Sequence, residues 1–471
     1  MKTAKALKRR DGVERFLDVY RDARLLPYSP SDSELMRALE RCLGCGTCLA
    51  VCPVVGSAAS HPYPGPRAVA TSLSRSVPEF WTAAGVEGYC TTCLACQEAC
   101  PGDVPVWRAV LMIRAKNFEQ ATREGREPLG RLKRFLVDFF AENRLAQAGR
   151  WGAALQGLAF RPTASGSMKA RLTLPLGPLG NRLVPPLARR PLTEEFSAPV
   201  AGADPDGPRV AVFAGCLDNF CYTDTGRSLV EVLRRHAREV VVPATQVCCG
   251  APALYSGDLE TTRRLAALNG EVFAATGCDF VVTACATCGD VLTRDYPVLG
   301  PDSADGATWL ARRTRDIHVF LASEVELRPP ARGPAGRGDL PAPGRTVVTV
   351  HDPCHLSRGQ GVAEEVRVLL GAVPGAELRE MADPRACCGG AGSFCLEHYD
   401  IAAVIRRDKI ADIAATGAGL VVTGCPSCRL HISDGLEQAG TGRPVRHLVD
   451  LLAESYRGGP AGAGGGGGSI G

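Results

Sequence analysis

Twenty-one of the 471 residues are cysteine, and most of them recur at fixed spacings. Two segments near the N-terminus share the pattern Cys-x-x-Cys-x-x-Cys-x-x-x-Cys-Pro. Thiolates at this spacing bind [4Fe-4S] cubanes: three wrap one cubane, and the fourth, before proline, reaches a second cubane. The pattern therefore predicts two cubanes, one held by Cys42, Cys45, Cys48 and Cys100 and the other by Cys90, Cys93, Cys96 and Cys52.

Zinc is the alternative metal that these thiols could bind. A structural zinc site normally uses two Cys-x-x-Cys pairs, whereas here four cysteines fall within eleven residues and end before proline, twice. That arrangement favours the clusters. Gly44 and Gly46 allow the first loop to turn tightly and bring backbone N–H groups near the sulfide ions.

Two further sets of five cysteines follow, each made of a lone cysteine, an adjacent pair before glycine, and a Cys-x-x-Cys. The first five-cysteine site contains Cys216, Cys248, Cys249, Cys285 and Cys288, and the second contains Cys354, Cys387, Cys388, Cys425 and Cys428. Adjacent thiolates suit a multinuclear cluster, whose separate irons need separate ligands. We expect one or two further iron–sulfur clusters here, cubane or non-cubane; buried cysteines beside a zinc ion are the alternative.

The two five-cysteine sites belong to an internal repeat with an offset of about 140 residues. In each copy β-branched runs, at 209–213 and 280–283 and again at 346–350 and 420–423, alternate with helical apolar spacing at 259–276 and 401–416. Alternation of this kind predicts a parallel-sheet α/β domain, and the ligands then lie at the carboxyl ends of the strands. Asp258 and Asp400 are candidate caps for the helices.

Three cysteines and two histidines remain near these sites. Cys278 stands where the other copy has alanine, which predicts core packing. Cys221 and Cys395 lie close to ligands in the sequence and are interpreted as spare thiols, with a role in supporting the ligands as the alternative. His351 and His355 flank Cys354 in the sequence His351-Asp-Pro-Cys354-His355. They are candidates for tuning a cluster or relaying protons, with packing as the alternative.

The remaining composition narrows the class of protein. A net charge of +4 argues against a nucleic-acid binder, and no run of about 18 apolar residues predicts a membrane span. The basic N-terminus lacks the apolar stretch of a secretory signal, so we expect the reducing cytoplasm, with attachment at the inner membrane face left open. No phosphate loop, dinucleotide fingerprint or Ser-His-Asp set is present, which predicts that electrons come from a partner protein.

Domain boundaries follow from these patterns. We expect a two-[4Fe-4S] ferredoxin-type domain at 31–118, a basic helical and Pro/Gly-rich connector at 119–206, cysteine-rich domains at 207–327 and 345–457, and a disordered Gly-rich tail at 458–471. Residues 105–200 carry 16 Lys or Arg and 7 Asp or Glu. The connector is either solvated or a basic face for a partner or an anionic membrane. The predicted fold class is α/β, with an α-helical ferredoxin-like module and two repeated parallel-sheet domains.

These motifs resemble the iron–sulfur proteins that join a two-[4Fe-4S] ferredoxin module to paired cysteine-rich CCG domains. Within that group, His351-Asp-Pro-Cys354-His355-Leu and Cys387-Cys388-Gly-Gly-Ala-Gly look most like glycolate oxidase and lactate-utilisation subunits. Cys90-Thr-Thr-Cys93-Leu-Ala-Cys96 looks more like heterodisulfide reductase. Tyr63-Pro-Gly-Pro-Arg67 departs from the Ser-Pro-Arg-Gly-Arg stretch usual in glycolate-type subunits.

The resemblance implies an electron-transfer role. An FAD-linked dehydrogenase subunit or other redox partner would oxidise a 2-hydroxy acid, and this chain would relay the electrons to a quinone or another carrier. A disulfide reductase acting at the CCG clusters is the alternative function, and a zinc-stabilised scaffold is a third. Peripheral membrane association would then come through a partner.

Overall fold

The computed structural model describes residues 30–75, 87–129, 131–141, 144–163, 166–171, 182–299, 304–328 and 346–457. These residues form two compact units. The first contains the chain up to residue 130 together with Tyr255–Asp258, and the second contains Arg131–Leu254 and the chain from Leu259 onward.

The described part of the first unit is built from helices, in agreement with the expected α-helical module. Its helices are α1 (Pro30–Leu39), α2 (Thr47–Ala50), α3 (Pro66–Arg75), a 3₁₀ turn (Glu87–Tyr89), α4 (Ala95–Glu98) and α5 (Val106–Arg123). Helix α5 buries Val106, Ala109, Val110 and Ile113, which occupy positions i, i+3, i+4 and i+7 and so share one face. This stripe supplies the core against which the short cysteine-bearing helices are held.

The second unit carries all strands among the described residues. Its helices are α6 (Arg131–Ala141), α7 (Arg144–Ala159), α8 (Leu192–Glu195), α9 (Gly215–Phe220), α10 (Thr223–Leu233), α11 (Ala251–Leu254), α12 (Leu259–Ala274), α13 (Ala286–Asp290), α14 (Ala304–Arg313), α15 (Ile317–Val319), α16 (Cys354–Ser357), α17 (Glu364–Gly371), α18 (Phe394–Glu397), α19 (Tyr399–Ala415), α20 (Pro426–Gln438) and α21 (Leu448–Arg457). Its strands are β1 (Phe160–Pro162), β2 (Met168–Ala170), β3 (Val200–Ala201), β4 (Arg209–Val212), β5 (Glu239–Val241), β6 (Phe280–Thr283), β7 (Thr314–Asp316), β8 (Thr346–His351), β9 (Ala376–Leu378), β10 (Leu420–Thr423) and β11 (Val445–Arg446).

The first cysteine-rich sequence copy forms a five-stranded sheet in the order β3-β5-β4-β6-β7. Its strands run parallel except for the edge strand β3, which is antiparallel to β5. Val210, Ala211 and Val212 in the central strand β4 are all fully buried. A strand buried on both faces is expected where helices cover a parallel sheet, and it explains the continuous apolar run in the sequence.

The second copy forms a four-stranded parallel sheet in the order β11-β10-β8-β9. The two central strands pair with Val422 opposite Val350 and Thr423 opposite His351. One cluster of buried apolar side chains extends from β4 and β6 of the first sheet to β8 and β10 of the second. The two sheets therefore share a core.

The sequence predicts the bounds of several strands and helices correctly, but it predicts one helix cap wrongly. Strands β6 and β10 have the predicted bounds, and α12 and α19 end within two residues of the predicted positions. Gly277 and Gly417 follow these helices with φ of 62° and 67°, as expected for glycine that stops a helix. The capping role expected of Asp400 is wrong, because α19 begins at Tyr399 and leaves Asp400 inside its first turn.

Residues of the connector pack on the second sheet's domain. Lys133 pairs with Glu397 at 3.0 Å, and Lys169 pairs with Glu437 at 3.1 Å. Part of the positive charge of the connector is thus neutralised within the chain. Within the described residues no helix is both long and apolar enough to cross a membrane. The Pro/Gly/Arg-rich stretch between the two cysteine-rich domains is predicted to be a linker over 328–345, and all of it after residue 328 lies outside the described residues, as does the Gly-rich tail (458–471).

Candidate metal centres

The first thiol group of the helical unit consists of Cys42, Cys45, Cys48 and Cys100. Burial raises the pKa of Cys48, and the neighbouring Cys42, Cys100 and Cys45 thiols raise it further. All four line one pocket, which Cys96 also borders. The pocket brings together four thiols from two sequence segments, the grouping that the spacing predicts for one cubane.

The second thiol group consists of Cys52, Cys90, Cys93 and Cys96. Burial raises the pKa of Cys52 to about 12, with smaller contributions from Cys93 and Cys90. Burial also raises the pKa of Cys96, and Cys90, Cys93 and Cys52 are the nearest thiols that add to the rise. A buried group of mutually repelling thiolates is unfavourable without a metal, so this donor set fits a positively charged iron–sulfur core.

The two cysteine loops adopt the same unusual backbone. Gly44 and Gly46 have φ of 70° and 83°, and the residues at the matching positions of the other loop, Thr92 and Leu94, have φ of 53° and 63°. Positive φ is rare for a β-branched residue and costs roughly 1–2 kcal/mol. The Thr92 amide in return donates a 3.4 Å hydrogen bond to Cys90 Sγ. The strained residue Thr92 therefore directs its backbone N–H toward the Cys90 thiolate.

The first five-cysteine site lies at the carboxyl ends of β4 and β6, where open α/β sheets carry their ligand sites. Cys216 lies in the first turn of α9, and Cys285 caps α13. The side chains form a continuous row of sulfur contacts, in which Cys216 meets Cys248, Cys249 meets Cys288, and Cys288 meets Cys285. The structure thus brings together all five thiols of this predicted set.

The second five-cysteine site lies at the equivalent ends of β8 and β10. Cys388 Sγ is 3.4 Å from Cys428 Sγ, and Cys425 also contacts Cys428. Contact with Cys428 is the main cause that lowers the pKa of Cys388, and the His351 and His431 imidazoles add to it. Cys354 begins α16, and Cys387 Sγ accepts a 3.4 Å hydrogen bond from the Gly389 amide. Their place as ligands beside the other three stays a prediction.

Glycine after the adjacent pair has the same role in both copies. Gly250 and Gly389 have φ of 85° and 83°. Each donates its amide to the first cysteine of the pair, at 3.5 Å to Cys248 Sγ and 3.4 Å to Cys387 Sγ. Positive φ turns the N–H toward the sulfur, which only glycine permits without strain.

The two five-cysteine sites touch. The Cys285 thiol of the first contacts the Cys425 thiol of the second, and Thr287 Oγ1 lies 3.6 Å from Cys425 Sγ. A backbone hydrogen bond of 2.9 Å joins Ala286 to Gly424 beside this contact. Metal centres held by the two sites would therefore adjoin each other.

Several residues that brace these loops were missed by the sequence reasoning. Asn269 donates to the carbonyl of Cys248 at 3.1 Å, and Tyr296 donates to the carbonyl of Cys249 at 3.0 Å. Asp290 binds the imidazole of His355 across the two copies. Polar residues that support ligands through backbone atoms leave no spacing signal, so only the three-dimensional arrangement reveals them.

The three remaining cysteines lie apart from these contacts. Cys278 is buried two residues before β6, and burial raises its pKa. Cys221 is buried beside Phe220 and Tyr222. The carbonyl of Cys395 accepts a 2.9 Å hydrogen bond from Arg182. Cys278 and Cys221 thus have the surroundings of packing residues, whereas the Cys395 thiol accepts a 3.4 Å hydrogen bond from Arg182 and interacts electrostatically with Cys388.

Comparison with known proteins agrees with these centres. Residues 210–293 and 348–433 each match the CCG cysteine-rich domain, and residues 38–104 match the 4Fe-4S dicluster domain. A fumarate reductase (CoM/CoB) subunit of Methanothermobacter marburgensis is 31% identical over 437 residues, which cover 91% of this chain and 74% of that protein. The chain belongs to the CCG-domain iron–sulfur proteins. Two more relatives of this family bear on its role.

The "Probable glycolate oxidase iron-sulfur subunit" of Bacillus subtilis is 29% identical, with 88% of this chain and 94% of that protein covered. A lactate utilization protein of Shouchella clausii is 32% identical over 52% of this chain and 98% of that protein. This CCG-domain protein is accordingly an iron–sulfur electron-transfer subunit of an oxidoreductase system with several clusters, [4Fe-4S] cubanes among them. Bound clusters supply one-electron redox chemistry, and the protein holds, spaces and shields them.

Proposed function

We propose that the chain relays electrons from an FAD-linked dehydrogenase of 2-hydroxy acids, of the glycolate or lactate type, to a quinone or another carrier. The contact between the Cys285 and Cys425 thiols is the main observation that supports this proposal. Since the two five-cysteine sites adjoin, electrons that reach one centre pass to the other without crossing intervening protein. The names of the Bacillus subtilis and Shouchella clausii relatives support the substrate class.

The proposal includes the ligand sets. Cys42, Cys45, Cys48 and Cys100 would hold one cubane, and Cys90, Cys93, Cys96 and Cys52 the other. Each CCG domain would hold a further centre through its five cysteines. We propose the domain boundaries 31–118, 207–327 and 345–457 for these modules, with any membrane association made through a partner.

The segment Tyr63–Arg67, which departs from the glycolate-type sequence, bears on a cluster rather than on a substrate. Burial raises the pKa of Cys90, and the hydroxyl of the buried Tyr63 opposes that rise through a side-chain hydrogen bond. Arg67 borders the pocket of the first thiol group. The segment thus tunes the cubane surroundings, and it leaves the choice of 2-hydroxy acid to the dehydrogenase partner.

Copurification from the native cells, under anaerobic conditions, tests this function. We expect a flavin-containing subunit to accompany the chain. Addition of glycolate or lactate should bleach the visible iron–sulfur absorption, and a water-soluble quinone should restore it. Pyruvate is a matched control, because it lacks the oxidisable hydroxyl.

Two outcomes would contradict the proposal. One is a complex without flavin whose absorption no 2-hydroxy acid bleaches. The other is a reduced chain whose absorption is restored by a disulfide and not by a quinone, which would favour the disulfide reductase.

A further inference from the structure

The two five-cysteine sites, called from here on the first and second CCG sites after their domains, differ at two buried positions beside their thiols. Three residues before the lone cysteine, the second site has His351 where the first has Phe213. Three residues after the Cys-x-x-Cys, the second site has His431 where the first has Val291. All four side chains are almost fully buried. The repeat therefore places two imidazoles in the second site at positions that are apolar in the first.

His351 lies within ligand distance of two thiols. One of its ring nitrogens, Cys388 Sγ and Cys428 Sγ all lie within 4.8 Å of one another. Bonds of about 2.0–2.3 Å to a shared four-coordinate metal would place such atoms about 3.3–3.8 Å apart. The observed 3.4 Å between the two sulfurs already meets that requirement.

The imidazole of His351 is also buried with little hydrogen bonding. It stands at the last residue of β8 and is 1% exposed. Apart from the neighbouring Cys388 thiol, neither ring nitrogen has a hydrogen-bond partner among the described residues. A buried polar ring with so few partners is costly, and a metal bond is one way to satisfy it.

We propose that His351 is a metal ligand, so that the second CCG site holds its centre through an imidazole nitrogen beside the Cys388 and Cys428 thiolates, whereas the first site uses thiolates alone. This inference rests on the proposed cysteine assignment of the second site. It goes beyond that assignment because it makes the two centres chemically different.

The difference sets a direction for electron flow. Replacing thiolate by imidazole raises the reduction potential of an iron–sulfur centre, because a neutral ligand stabilises the reduced state better than an anionic one. The second CCG site is then the higher-potential member of the pair. Electrons that enter the first site pass across the Cys285–Cys425 contact toward the second.

His431 provides a matched comparison within the same site. It is equally buried, and its ring nitrogens also lack partners among the described residues. It does not belong to the group of ligand atoms formed by His351, Cys388 and Cys428. The proposal therefore predicts that His351 coordinates the metal through nitrogen and that His431 does not.

The test is electron spin echo envelope modulation on the reduced, full-length holoprotein, with histidine labelled with ¹⁴N or ¹⁵N. We expect a strongly coupled histidine nitrogen in the wild type. His351→Phe, which installs the first site's residue, should abolish that coupling, and His431→Val should retain it. His351→Cys should retain the iron, lose the coupling and shift the potential of this centre to a lower value.

Iron analysis and circular dichroism of each variant separate the outcomes. Coupling that persists in His351→Phe, or that is lost in His431→Val alone, would overturn the proposal. So would a folded wild type with the full iron of this site and no histidine coupling. Absence of iron from the second CCG site in the wild type would instead refute the cysteine assignment on which the inference rests.

Discussion

The Nδ1 atom of His355 lies 2.6 Å from a carboxylate oxygen of Asp290. Asp290 follows the Cys-x-x-Cys of the first CCG site, and His355 follows the lone cysteine of the second, so the pair joins the two ligand loops. Arg294 lies 2.8 Å from the same carboxylate oxygen. Asp290 is fully buried. Burial alone would lower the pKa of His355, but the hydrogen bond that His355 donates to Asp290 helps to raise it above its usual value.

Asp290→Asn tests this link. The substitution keeps the shape but removes the charge that two cationic partners face, so we expect a loss on the order of 3 kcal/mol in the free energy of unfolding. Asp279→Asn is the control, because Asp279 is half-exposed in its pair with Arg238 and should cost under about 1 kcal/mol. Chemical denaturation of the anaerobic holoproteins measures both. Equal midpoints for Asp290→Asn and wild type would contradict the link.

His236 makes stability depend on pH. Its Nδ1 lies 3.0 Å from the Val232 carbonyl and its Nε2 accepts from the Arg328 amide at 3.1 Å, an arrangement that needs the neutral ring. Burial lowers its pKa below the ordinary value of about 6.5. As pH falls below that value the unfolded chain binds the proton first, so stability is lost between about pH 6.5 and the lowered folded pKa.

We therefore expect His236→Gln to lose less stability than the wild type between pH 7.5 and pH 5. Glutamine can donate to Val232 and accept from Arg328 without a titrating group. Thermal unfolding at several pH values gives the comparison, and the difference between the two proteins isolates this residue from other buried histidines. Parallel pH curves would show that His236 does not titrate in this range.

Paired substitutions test how the two cubanes share their ligands. If Cys42 and Cys100 bind the same cubane, Cys42→Ala with Cys100→Ala should lose about four iron atoms, the content of one cluster. Cys42→Ala with Cys52→Ala should lose about eight, because these thiols lie in different groups. Iron and sulfide analysis of the purified chains measures the losses. The reverse pattern would mean that each sequence segment holds its own cubane.

Cys278→Ala distinguishes a packing thiol from a ligand. The side chain is buried beside β4, and its removal leaves a small cavity that we expect to cost about 1 kcal/mol without loss of iron. Cys288→Ala, at an equally buried cysteine in the row of sulfur contacts, should lower the iron content. Iron loss in Cys278→Ala would make this cysteine a ligand.

Much of this architecture is encoded locally. Strands β6 and β10 could be predicted to the residue, because their β-branched runs are bounded by glycine before and cysteine after. The cysteine spacing likewise predicted both thiol groups of the helical unit. Thr92 and Leu94 were missed because positive φ is expected of glycine, yet their alignment with Gly44 and Gly46 in the twin motif was a usable signal.

The contacts between the two CCG domains could not be predicted in this way. Cys285 and Cys425 are 140 residues apart, and Asp290 and His355 are 65 apart. Their proximity depends on how two sheets pack around one core, and no period or spacing within either copy encodes that packing. The aligned copies do reveal that His351 replaces Phe213, but only the folded site shows that the ring faces two thiols.

The exchange of Cys52 and Cys100 between the two thiol groups also has a consequence for biosynthesis. The chain leaves the ribosome N-terminus first, and after Cys52 has emerged each group still lacks members that lie 38 to 48 residues further on. Neither metal site is then complete. With these proposed ligand sets, cluster insertion waits until residue 100 of the 471 has emerged, so both metal sites of this module become complete at the same stage of synthesis.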